Sequence, residues 1–195
     1  AFKSELLAQK LGGTIAYKSD GVPFFVHELI RGLKDGRILS TANARLRREG
    51  QPFAPTFMGA WQRGVRVVVL VSWFYEFDSR VKPQVPYAVF PLDAPFWMMA
   101  GLANWTRMPD GEKHLTVAIV TVEPNEVLSS VGHHRSPALL RSSTEALEWM
   151  RSDPGDTLGL LRSYPNETMG VEAVPMGIKI PGNQSVDLPA VLQNR

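Results

Sequence analysis

RVVVLVSWFYEF, residues 66–77, is the most apolar run of the chain, and it carries one carboxylate, Glu76, near its end. From Val67 to Phe77 every residue is β-branched or aromatic except Leu70, Ser72 and Glu76. That composition predicts a strand buried on both faces rather than an alternating surface strand. A carboxylate there is desolvated, so it is protonated, paired with a cation, or part of a site that uses its raised proton affinity. The structural alternative is a strand-end glutamate turned to solvent or held by an arginine.

Working outward, Pro55–Trp61 predicts a helix whose apolar side packs on this central strand. Before it lies TANARLRREGQPF, residues 41–53, where Asn43 and Arg45 share a face if the segment is extended. After Glu76, Asp78–Val85 reads as a polar hairpin loop and Pro86–Phe90 as the return strand. FWMMAGLANW, residues 96–105, is a third apolar stretch, with Ala100 and Gly101 suited to close approach by another backbone. Met98 and Met99 read as core filler. Pro109, Asp110 and Gly111 make a turn, so His114–Val122 becomes a fourth strand paired with the third. Pro124–Ser130 reads as a short helix, followed by VGHHRSP, in which Gly132 loosens the backbone ahead of His133 and His134. Ser143–Met150 predicts a helix capped by Ser143 or Thr144 and ended by Asp153, Pro154 and Gly155. Leu158–Tyr164 and Val171–Ile180 supply further apolar segments. Near the beginning, Ser4–Leu11 reads as a helix, Thr14–Lys18 as extended, and Phe24–Val26 as a strand leading to a surface or strand-end His27.

The length of 195 residues suits one domain with a sizeable core, and a polar tail is expected from about Pro181. Fifteen prolines point to many turns and few long helices. No run is long enough to span a membrane and no basic-then-apolar leader opens the chain, so a protein of the cytoplasm is expected, without membrane partner. The chain opens on Ala1 without an initiator methionine and so reads as processed, engineered or incomplete there. With no cysteine, disulfides, thiolate metal sites and thiol chemistry lie outside what these residues do. Net charge is +2 with a pI of about 9.0. The basic residues Arg31, Lys34, Arg37, Arg45, Arg47, Arg48, Arg63 and Arg66 face only Asp35 and Glu49 between positions 31 and 66. Such an arginine-weighted stretch tracks phosphates or forms a solvated face.

Asn43, Glu76 and the pair His133 and His134 are the polar residues placed to carry chemistry, although each alone also fits a satisfied structural group. Two adjacent histidines suggest a metal, but neighbours in an extended chain point to opposite sides and no third ligand follows at helical spacing, so no metal and no cofactor is expected.

The order of these pieces is informative: NAR, a strand ending FYEF, then PY, AGLANW, a VAIVT strand and HHRSP. It resembles the SRAP family, the SOS response-associated peptidases. The match runs from about Thr41 to Leu140 and continues through LLRSYP and the segment ending VPMG. The resemblance implies an α+β, mainly β fold: a single compact domain with a curved, barrel-like antiparallel sheet and flanking short helices. It implies a DNA-damage-response protein, monomeric and nucleoid-associated when acting on DNA, that binds single-stranded DNA at abasic sites. In the family an amino-terminal cysteine, exposed by self-cleavage, closes a thiazolidine with the sugar aldehyde. Carried over by motif, Asn43 orients the nucleophile or the opened sugar, Glu76 handles the α-amine proton, and His133 is acid or base at the sugar. Arg45 and Arg135 hold flanking phosphates, with Arg66 at the end of the basic stretch.

The chain departs from the pattern at several positions. Trp73 stands in place of glycine, Phe77 in place of tryptophan, Ser136 in place of methionine, and the thiol is absent. The resemblance therefore implies either an abasic-site crosslinking enzyme with self-processing peptidase activity, its cysteine lying outside these residues, or a non-catalytic single-stranded-DNA-binding module that has lost the nucleophile.

Overall fold

The computed structural model describes residues 38–45, 53, 55–63, 65–107, 111–179 and 190–193. The segments read at Ser4–Leu11, Thr14–Lys18 and Phe24–Val26, with His27, lie outside the described residues.

The run that opens the reading is not one strand. It is two, β2 (Arg66–Val71) and β3 (Phe74–Asp78), separated at Ser72 and Trp73, and the two belong to different sheets. The larger sheet has the order β1 (Ile38–Arg45), β6 (Lys113–Val122), β5 (Trp97–Arg107), β2, and two short strands, Ser136–Pro137 (β7) and Leu139–Leu140 (β8), pair with β6 and β5. The smaller sheet is β3, β4 (Val85–Pro91) and β9 (Met169–Ala173). The barrel-like single sheet expected above is therefore corrected: among the described residues both sheets are open, because the chain leaves the first sheet after β2 and begins the second with β3. The pairing is not wholly antiparallel either, since β1 runs parallel to β6.

Strand alternation explains the layers. On β5, Trp97, Met99 and Ala103 point between the sheets, where they meet Val69, Val71, Phe74, Val89 and Ile119. Ala100 and Leu102 point the other way, against Phe53, Met58 and Trp61 at α1 (Pro55–Gln62) and Ala146 and Trp149 of α3 (Ser143–Arg151). The outer face of the small sheet buries Tyr75, Ala88 and Phe90 with Leu192 of the terminal helix Ala190–Gln193, so this part of the expected polar tail contributes to a core. Several readings hold: α1 covers the sheet, β3 and β4 form a hairpin, and β5 pairs with β6 in antiparallel register. Gly101 is opposite Val67, where a Cβ would come within 2.9 Å of a Val67 methyl carbon, so the close neighbour is a side chain rather than the backbone expected. The cap of α3 is one residue earlier than read: the Ser142 hydroxyl accepts from the Glu145 amide.

Candidate functional site

The site is built where the end of β3 meets the turn after α2 (Glu126–Ser130). Alternation puts Glu76 on the same side of β3 as Phe74, in the layer between the sheets, and it is only 5% exposed. Its partner arrives from 57 residues away along the chain: His133 Nδ1 lies 3.1 Å from Glu76 Oε2.

Local chemistry fixes that histidine. Asn125 begins α2 by accepting from the Leu128 amide, and its own amide donates to the Tyr164 carbonyl. At the other end Gly132 has φ of +75°, its N–H donates to the Ser129 carbonyl, and the His133 N–H donates to the Leu128 carbonyl. These two bonds and the left-handed glycine make a Schellman turn, which closes the helix and sets the direction in which His133 leaves it. Gly132 is therefore a helix stop with a fixed conformation rather than a loosened backbone.

Burial governs the electrostatics. Desolvation pushes the Glu76 carboxyl up to about 8, opposed by the positive charge of Arg135. It lowers His133 to about 4, assisted by His134 and then Arg135. Between those values both groups are uncharged, and the 3.1 Å separation suits a carboxyl O–H donating to the unprotonated Nδ1. Arg135 stands close enough to act on both, and its Nε is buried without a hydrogen-bond partner. Contrary to the reading that adjacent histidines diverge, the rings of His133 and His134 lie together, 5.4 Å between centroids and tilted by 34°.

The remaining predicted residues are distributed as follows. Asn43 and Arg45 lie on β1, in register with Ile119 and Thr121 of β6. Thr121 is also in register with Pro137 of β7. The end of β1 and the segment following Arg135 thus flank the same end of β6, roughly two strand spacings, or about 10 Å, apart. Arg66 does something else. It is 7% exposed, and its guanidinium donates to the carbonyls of Trp149 and Ser152 and, at 3.4 Å, of Trp61. It also stands 5.6 Å from the Trp149 ring centroid. The expectation that Arg66 lines a nucleic-acid groove is corrected: its donors are taken up in tying β2 to α1 and α3.

Sequence reasoning missed Asp78 and Arg80. Asp78 Oδ1 accepts from the Arg80 backbone N–H and Nε, both at 2.9 Å, Oδ2 accepts from Nη2 at 2.7 Å, and Nη2 also donates to the Ser130 carbonyl at 2.8 Å. An acid and an arginine two apart directly after Glu76 were the available signal. Among the described residues, no group of three or more His, Cys, Asp or Glu is placed to hold a metal ion, and no helix is long and apolar enough to cross a membrane.

Comparison with known proteins bears on this geometry. The family model described as SOS response associated peptidase (SRAP) matches residues 22–180. The chain is 28% identical over 128 residues to the abasic site processing protein YoqW of Bacillus subtilis (strain 168), covering 63% of this chain and 56% of that protein. It is 30% identical over 114 residues to the abasic site processing protein HMCES of Gallus gallus, covering 49% of this chain and 34% of that protein. The chain thus spans about half the length, or less, of these curated relatives. Crystal structures of proteins from Bacteroides thetaiotaomicron and Bordetella bronchiseptica share its fold, with TM-scores of 0.60 and 0.61 at 23% and 24% identity. Each alignment covers 69% of this chain, and 59% and 65% of theirs.

One implication of the resemblance is overturned. The 195 residues contain no cysteine, so covalent crosslinking and self-processing through a cysteine thiol are not activities of this chain. Its glutamate, histidine and arginine are nonetheless assembled as described, and with the family model matched across residues 22–180 the chain belongs to the SRAP family.

Proposed function

We propose that this chain is a non-catalytic single-stranded-DNA-binding module that engages abasic sites without a covalent bond. The observation that carries the reading is the buried Glu76–His133 contact at 3.1 Å beside Arg135, whose Nε is buried and unpaired. A neutral carboxyl and a neutral imidazole offer donors and acceptors to the hydroxyls or carbonyl of a sugar that has lost its base. Arg135 supplies the cation for an adjacent phosphate, which its planar fork contacts in bidentate fashion. Arg45 and Asn43, at the end of β1 flanking β6, extend this to the neighbouring phosphate and the sugar. Phosphate contacts hold the strand in register, and the missing base is selected where Glu76 and His133 stand. The names of the relatives, abasic site processing proteins, support the same substrate class.

The test is fluorescence anisotropy with single-stranded DNA carrying one tetrahydrofuran abasic analogue, compared with an intact strand, over a salt titration. The expected result is tighter binding of the abasic strand and an affinity that falls with salt. Equal affinity for both strands refutes abasic selection, and absence of salt-dependent binding refutes the function. A natural aldehydic abasic strand should give no complex that survives heat and denaturant, and one that does survive overturns the non-covalent reading.

A further inference from the structure

Strand β3 presents two acids on one face, Glu76 and Asp78, spaced by about 7 Å. They reach the same turn at two points and in opposite protonation states. Glu76 is held protonated by burial and receives the His133 side chain. Asp78 is held below the usual carboxylate range by its hydrogen bonds from Arg80, and it grips the turn's backbone through that arginine.

The grip is close. A Cβ on Gly132 would sit 2.3 Å from Asp78 Oδ1 and 2.6 Å from Arg80 Nε, so the turn is packed directly on the pair. Ser130, whose carbonyl accepts from Arg80, is the last residue of α2, three positions before His133. An ordinary exposed ion pair contributes little. The Arg80 side chain is 57% exposed, but its partner Asp78 is buried, the contact is two-pronged, and the same guanidinium carries a further bond to a helix C-terminus, so the pair is held by geometry rather than by burial of the arginine.

We propose that Asp78 and Arg80 are positioning residues: they clamp the Schellman turn to the β3–β4 hairpin and thereby set His133 against Glu76 and Arg135 beside them. The consequence for affinity rests on the single-strand-binding reading above, whereas the geometric claim does not. Among the described residues, the charged and titratable groups acting on His133 are Glu76, His134 and Arg135. Arg80 has no direct contact with its ring among those described, so any effect of Arg80 on the imidazole travels through the turn.

Two measurements on the full chain decide the matter. The first follows the His133 imidazole nitrogen shifts against pH by nuclear magnetic resonance. Arg80→Ala releases the turn and hydrates the ring, so its titration should move up from about 4 toward 6.5 by roughly one unit or more. Asp78→Asn, which keeps the shape of the acid and removes its charge, should move it the same way, and Arg80→Lys, lacking the planar fork, should not restore the wild-type value. The second is the dissociation constant for abasic single-stranded DNA, expected to weaken roughly tenfold in Arg80→Ala. If the His133 titration is unmoved in both Arg80→Ala and Asp78→Asn, the positioning role is overturned, whatever the stability of either variant. If the wild-type chain shows no affinity for single strands, the binding function fails while the imidazole titration still decides the clamp.

Discussion

Replacing Glu76 by glutamine tests the protonation state on which the site reading depends. In the folded chain burial holds the carboxyl up to about 8, against 4.5 for a solvated glutamate. Between those values the folded protein keeps a proton that the unfolded chain has released. A raised folded pKa gives stability that is fully present below the unfolded value and is lost as pH rises through the folded value. The slope is about 1.4 kcal/mol per pH unit. His133 runs the other way: lowered to about 4 from 6.5, it costs stability as pH falls through that window. Taking the difference between wild type and Glu76→Gln removes the histidine contribution. Glutamine is as uncharged as the protonated acid it replaces, so His133 sees the same neighbours. The wild-type chain should therefore lose about 3 kcal/mol of stability relative to Glu76→Gln between about pH 5 and about pH 7.5. Urea unfolding followed by tryptophan fluorescence at each pH measures this. A difference that stays constant, or that grows in favour of wild type as pH rises, would mean an ionised Glu76 paired with imidazolium, and the neutral pair would be refuted.

Three further outcomes are expected. Gly132→Ala imposes a side chain at φ of +75° and drives a methyl group into Asp78, which should cost about 1–3 kcal/mol and lower the thermal midpoint; an unchanged midpoint would contradict the turn geometry. Arg66→Ala leaves carbonyls of Trp61, Trp149 and Ser152 without their donor and should cost about 2–3 kcal/mol in urea while leaving the salt slope of DNA binding unchanged. Arg135→Ala should leave stability nearly unaltered but flatten that slope by about one, as loss of a single phosphate contact requires, and an unaltered slope would remove Arg135 from the interface.

Much of the sheet was legible because local pattern determines it. The Asp78–Val85 loop and the turn at Gly111 announce antiparallel hairpins, and both form. The division of RVVVLVSWFYEF was not legible, since an apolar run fits a strand in either sheet and Ser72 with Trp73 gives no turn residue to mark the break. Closure of a sheet and the parallel pairing of β1 with β6 depend on partners far away in the chain, about which a local window is silent. Arg66 was misread because charge was counted as surface, whereas helix C-termini offer carbonyls that bury a guanidinium well. The meeting of Glu76 with His133 came from the order of the motifs, since spacing in sequence carries no information about contact across 57 residues.

The parallel pairing has a consequence for how the molecule assembles. Asn43 pairs with Ile119 and Arg45 with Thr121, each 76 residues further along, whereas β5 and β6 are joined by a short turn and close quickly. The segment bearing Asn43 and Arg45 is therefore expected to dock late, onto an edge already formed, by the slanted bonds that are the weaker kind of ladder. Its amides are expected to exchange with solvent deuterium well before those of β5. Opening and reclosing of strand β1 on β6 is thus expected to leave the Glu76–His133 contact in place.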